Sequence, residues 1–151
     1  MKYRYDKALV ILLSGFLSTG CMFLTEPQPT QPAYSGADGM SEYNITPQVY
    51  IYHYENGFTG IDALGWEPDL QYAWSRIGAA ITCKIPLDKQ QLIDQLGIRF
   101  GHQPVTHELN GIGFHAVQSR KVPGFCTEKR QNEISKMISN YQAGKFPTPR
   151  Y

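Results

Sequence analysis

The first twenty residues decide how much chain is left to fold. Lys2, Arg4 and Lys7 precede an apolar run from Ala8 through Leu17. A run of about ten residues fits the apolar part of a secretory signal and falls short of the roughly 20 residues a helix needs to cross a bilayer. The small residues Ser18, Thr19 and Gly20 follow, and then Cys21. Residues 1–20 hold three of the 14 basic and one of the 13 acidic residues, so their removal leaves 131 residues with 11 Lys+Arg against 12 Asp+Glu. That is one domain's worth of chain. Its near-neutral balance lacks the basic patch that nucleic acid would require, and equally the polybasic helix that binds a membrane surface.

Leu17-Ser18-Thr19-Gly20-Cys21 resembles the lipobox of bacterial lipoproteins. In that family the cysteine thiol receives a diacylglycerol, the peptide before it is cut away, and the new amino group is usually acylated. Ser18 stands where the family usually carries Leu, with Leu17 one place earlier. The resemblance implies that Cys21 is the lipidated N-terminus and that the membrane is a partner through that lipid. Several acyl chains anchor far more firmly than one. In enteric members an Asp after the cysteine favours inner-membrane retention. Met22 stands there instead, which implies the outer membrane, on its periplasmic face. An ordinary cleaved signal and a short uncleaved anchor are the other readings of the same segment.

Residues 21–44 read as a tether. Pro27, Pro29 and Pro32 alternate with polar residues and favour extended backbone, and Gly36 and Gly39 then loosen it. A docking peptide that orders on a partner is the alternative.

The folded domain is expected over 45–145, followed by a loose tail at 146–151. Gln48–Tyr54 (Gln-Val-Tyr-Ile-Tyr-His-Tyr) is β-branched and aromatic and reads as a strand. Glu55-Asn56-Gly57 reads as a turn, and Phe58–Gly65 as a short strand or loop. Pro68 opens a helix whose stripe is Leu70, Trp74, Ile77 and Ile81. Asp88 caps a short helix bearing Leu92, Ile93 and Leu96, with Gly97 as its stop, and Ile98–Phe100 reads as a strand. Asn110-Gly111 is the strongest hairpin signal and pairs residues 105–109 with 112–116. In that register His107 and His115 face opposite sides of the hairpin. Thr127 caps a last helix with a stripe of Ile134, Met137, Ile138 and Tyr141, ended by Gly144. The expected class is therefore α+β, with a short antiparallel sheet and about three helices.

If Cys21 carries lipid, Cys83 and Cys126 remain as a pair, and an oxidising periplasm would join them as a disulfide. A free thiol or a metal ligand is the other reading of each. The four histidines are His53, His102, His107 and His115. His107-Glu108 begins like a zinc-protease motif, but no second His follows at the required spacing, so no metal site is expected. Neither a Gly-x-Ser-x-Gly elbow nor a phosphate-cradling glycine loop is present. Glu55, Asp62, Glu67 and Asp69 lie near Trp66 and Trp74 in sequence, a combination found in glycan chemistry and more often in solvated loops. No cofactor and no catalytic residue are expected.

One longer pattern resembles the secretin pilotins of type II secretion. It comprises a helix, Cys83, Ile85-Pro86 opening an acid-capped helix, Leu109-Asn110-Gly111-Ile112-Gly113, and Cys126 before a last helix. Those are small periplasmic proteins, often lipoproteins, mostly helical, with one disulfide joining helices. They escort secretin subunits by gripping a peptide in a groove. The expected strand at 48–54 and hairpin at 105–117 depart from that pattern, and the span from Leu109 to Cys126 is longer. The whole chain reads as a non-enzymatic outer-membrane lipoprotein that binds another envelope protein, as an assembly or accessory factor of a secretion, pilus or conjugation apparatus. An inhibitor or immunity lipoprotein that neutralises a hydrolase is the alternative.

Overall fold

The computed structural model describes residues 34–36, 38–40 and 45–147, all within the unit Pro32–Tyr151. The signal segment, Cys21 and most of the proposed tether lie outside the described residues, as does most of the tail.

The described chain is helical, and no strand occurs among these residues. The expected α+β class, with its antiparallel sheet, is thereby corrected. Helix α1 (Pro47–Asn56) occupies the stretch that reads as a strand. Thr46 caps it by accepting from Val49 N, and Pro47 sits in its first turn, where a missing amide proton removes nothing. Val49, Tyr50, His53 and Tyr54 are buried, and their spacing is that of one helical face. Burial of those rings outweighs a β preference that is itself mostly a packing effect. A 3₁₀ turn (Gly60–Ala63) takes the place of the second expected strand or loop.

Helix α2 (Pro68–Thr82) is the axis of the fold. Of the eleven residues from Leu70 to Ala80, all but Tyr72 are buried. Ile81, expected in its apolar stripe, is exposed instead. Helix α3 (Lys89–Phe100) is capped by Asp88, which accepts from Gln91 N at 2.9 Å. It runs through Gly97 to Phe100, so Ile98–Phe100 is its last turn and not a strand.

The expected hairpin is a π-helical segment (Thr106–Gly113) running directly into α4 (Phe114–Lys121). The N–H of Phe114 reaches back to the carbonyl of Leu109, five residues earlier. Gly111 is required for contact and not for a turn. A Cβ there would stand 2.2 Å from the Trp74 ring. Gly78 plays the same part between helices, because its Cβ would lie 2.6 Å from Ala116 N. These two glycines let α2 approach the π-helical segment and α4.

Helix α5 (Glu128–Gln142) starts at Thr127, whose hydroxyl accepts from Arg130 N at 3.2 Å. Its inward residues Ile134, Ile138 and Tyr141 pack on the core shared with Leu70, Trp74, Ile77, Leu92 and Leu96. Helix α2 touches α4, α5 and the π-helical segment, α1 packs on α4, and α3 packs on α5 and the π-helical segment.

Cys83, which ends α2, is bonded to Cys126, which immediately precedes the cap of α5, with Cα atoms 5.4 Å apart. The bond closes 43 residues of sequence separation. Residues at both margins also pack on the domain. Met40 is buried, and Tyr34 reaches His53. At the other end Phe146 stacks on Tyr141 with ring centroids 4.9 Å apart.

Candidate functional site

The sequence-derived candidates fall into two groups, those that hold the fold and those that the structure leaves aside. Each buried histidine has its ring nitrogens engaged. Trp74 Nε1–H donates to His107 Nδ1 at 3.1 Å, so the imidazole proton sits on Nε2 and donates to Gly101 O at 2.7 Å. Gln71 donates its amide to Ala63 O, which turns its Oε1 toward His115 Nε2 at 2.6 Å. Tyr50 O–H then donates to His115 Nδ1 at 3.2 Å. Burial pushes the His115 imidazolium down to a pKa of about 3, with the Arg76 charge adding to the effect. Burial likewise lowers His107. The opposite-face arrangement expected of a hairpin does not arise, because both residues point into the helical core.

His53 Nδ1 donates to Gly57 O at 2.9 Å, and Tyr34 O–H donates to its Nε2 at 2.8 Å. Asp62 is buried and accepts from Met40 N at 2.7 Å and from Asp38 N at 3.1 Å. Its carboxylate is thus committed to holding residues 38–40. Glu55 pairs with Arg130 at 2.8 Å. Glu67 precedes α2 and is exposed, and Asp69 lies in that helix's first turn. The acidic residues near the two tryptophans therefore do not converge as a pair. No cluster of His, Cys, Asp or Glu that could hold a metal occurs among the described residues. No described helix is long and apolar enough to cross a membrane.

The feature that sequence reading missed is Arg76, in the middle of α2. It is 9% exposed. Its guanidinium carbon lies 3.8 Å from the centre of the Tyr72 ring and 4.0 Å from that of Tyr54. Two aromatic contacts of this kind favour a cation and fix its plane. Nη1 donates to Ser75 Oγ at 2.9 Å, and the same hydroxyl donates to Tyr72 O at 2.7 Å. Among the described residues no carboxylate makes an ion pair with Arg76.

Arg76 floors a groove between α1, α2 and α5. Two cavities of about 390 Å³ and 350 Å³ share Tyr54, Arg76 and Glu133 in their walls. The first extends past Ile134, Met137 and Pro147 and is the more apolar. The second runs along Glu55, Lys129 and Arg130. Arg130 is the instructive contrast. It lies over Phe125, donates to Phe125 O, and has Glu55 as its counter-ion. Burial raises Tyr54 to a pKa of about 12 against the opposing pull of Arg76 and Arg130, so its phenol is a neutral donor. A signal was present in the sequence. Arg76 is the one charged residue between Leu70 and Ile81, in a helix otherwise rich in Ala, Gly, Ile and aromatics.

No family model, no curated protein and no solved structure matches this chain.

Proposed function

We propose that the mature chain is a non-enzymatic lipoprotein, held at the outer membrane through Cys21, that grips a polypeptide segment of another envelope protein in the groove between α1, α2 and α5. Its role on this reading is that of an assembly or accessory factor for a secretion, pilus or conjugation apparatus. The observation that carries it is Arg76, a buried cation at the floor of an open groove, with no counter-ion among the described residues. Leaving a charge in such a place is costly unless something completes it. The lipobox resemblance supports the anchoring. Helices joined by one disulfide, where strands were expected, bring the domain nearer to the mostly helical pattern of the pilotins.

Labelling with radioactive palmitate tests the anchor. Labelled wild type and unlabelled Cys21→Ala are expected, and equal labelling of both would remove it. A photoreactive amino acid replacing Asn140, in the same wall, tests the groove in the intact envelope. Crosslinking to one assembly component is the expected result. Crosslinking to a hydrolase would make the protein an inhibitor instead. Crosslinks from Leu109 but none from position 140 would place any partner elsewhere.

A further inference from the structure

The groove has a chemistry as well as a shape. Its cations are Arg76, Lys129, Arg130 and Lys136, and its acids are Glu55 and Glu133. Glu55 is taken by Arg130, and Glu133 lies 3.9 Å from Lys129. Among the described residues Arg76 and Lys136 are left over, so these walls carry excess positive charge. Ser75 occupies one edge of the Arg76 guanidinium, and the Tyr72 and Tyr54 rings lie close to it. An Arg group offers five N–H donors, and no acceptor among the described residues takes its remaining edge, which suits a planar, two-oxygen acceptor. Lys136 adds a second positive charge to the same wall.

We infer that the segment held in this groove carries an internal Asp or Glu side chain, which pairs with Arg76 between the Tyr54 and Tyr72 rings. The position of Arg76 argues for an internal side chain over a terminal carboxylate. It belongs to both cavities, so a segment filling the groove continues past it in both directions. The apolar wall of Ile134, Met137 and Pro147 places an apolar residue on one side of the acid, and the charged wall of Lys129, Arg130 and Glu55 places a polar one on the other. This inference deepens the proposed function and rests on it.

The test is selection of random peptides with amidated C-termini, displayed against the intact mature domain. Binders that a photoreactive amino acid at Asn140 places in the groove should share one acidic position beside an apolar one. Replacing that acid by its amide should weaken binding roughly tenfold or more, as loss of a charge-assisted bidentate pair does. Arg76→Gln should abolish the difference between acid and amide. Arg76→Lys, which keeps the charge and loses the planar fork, should restore part of it, and thermal melts establish that both variants fold. Groove binders with no acidic preference would overturn the carboxylate and leave the groove. Binders that need a free C-terminus would overturn the internal side chain. No groove binder at all would remove both this inference and the reading beneath it.

Discussion

The indole N–H of Trp74 donates to Nδ1 of His107 at 3.1 Å, which ties the middle of α2 to the π-helical segment. Both side chains are fully buried. His107→Leu would fill the space but strand the indole donor. Leaving a buried donor unmade costs about 1–3 kcal/mol, so a loss of that size is expected in urea unfolding. An unchanged midpoint would show that the pair contributes nothing net.

His115 gives the fold a pH dependence. Its folded pKa of about 3 lies below the ordinary 6.5, so the unfolded chain binds its proton first. The stabilisation is complete above about pH 6.5 and is lost as pH falls towards 3. One such proton sets a slope of at most about 1.4 kcal/mol per pH unit in that window. His107, also lowered by burial, acts in the same direction. Urea melts between pH 6 and pH 4 should show a shallower slope for His115→Gln than for wild type. Equal slopes would assign the acid sensitivity elsewhere.

Two glycines should respond in opposite senses to the same substitution. Gly111→Ala would drive a methyl to within 2.2 Å of the Trp74 ring, and Gly97 in α3 has nothing within 4 Å of its Cβ position. Overpacking of a tight core costs about 1–3 kcal/mol. Ala in place of Gly inside a helix gains about 0.5–1 kcal/mol. Thermal melts of the two variants should therefore move apart, and a neutral Gly111→Ala would disprove the close approach.

The disulfide closes a separation of 43 residues. In the chain-entropy model such a link is worth on the order of 4 kcal/mol. The double variant Cys83→Ser, Cys126→Ser should lose stability on that scale, and dithiothreitol should do the same to wild type. A variant that unfolds at the wild-type urea concentration would show that helix packing alone holds the ends of α2 and α5 together.

Asp62 fastens residues 38–40 through the amides of Met40 and Asp38. Asp62→Ala should speed hydrogen exchange at both amides and leave α2 protected. Unaltered exchange at Met40 would mean that its buried side chain, and not the carboxylate, does the fastening.

The helices most legible in the sequence were those with a polar cap and a one-sided apolar stripe. Asp88 and Thr127 both cap as their positions imply, and Leu92, Ile93, Leu96, Ile134 and Ile138 are buried as their spacing implies. The stretch 48–54 failed because its residue types favour strands, whereas its face is set by contacts with distant elements. The Thr46-Pro47 start was the local sign that pointed the other way. Asn110-Gly111 failed because a glycine can serve a turn or a close contact, and only the position of Trp74 separates the two. Arg76 was overlooked because the stripe Leu70, Trp74, Ile77 and Ile81 leaves it on what reads as the wet side of the helix, whereas α2 is buried nearly all round.

That burial of α2 bears on how such a chain can change over generations. A helix with a wet face can accept substitutions there at little risk. From Leu70 to Ala80 almost no position is of that kind, and Gly78 admits not even a methyl group. Divergence in partner choice is therefore open to the outer residues of the groove, such as Lys136 and Lys129 on α5, while the helix that carries Arg76 is nearly frozen. Descendants of this protein would keep the cation and renegotiate its surroundings.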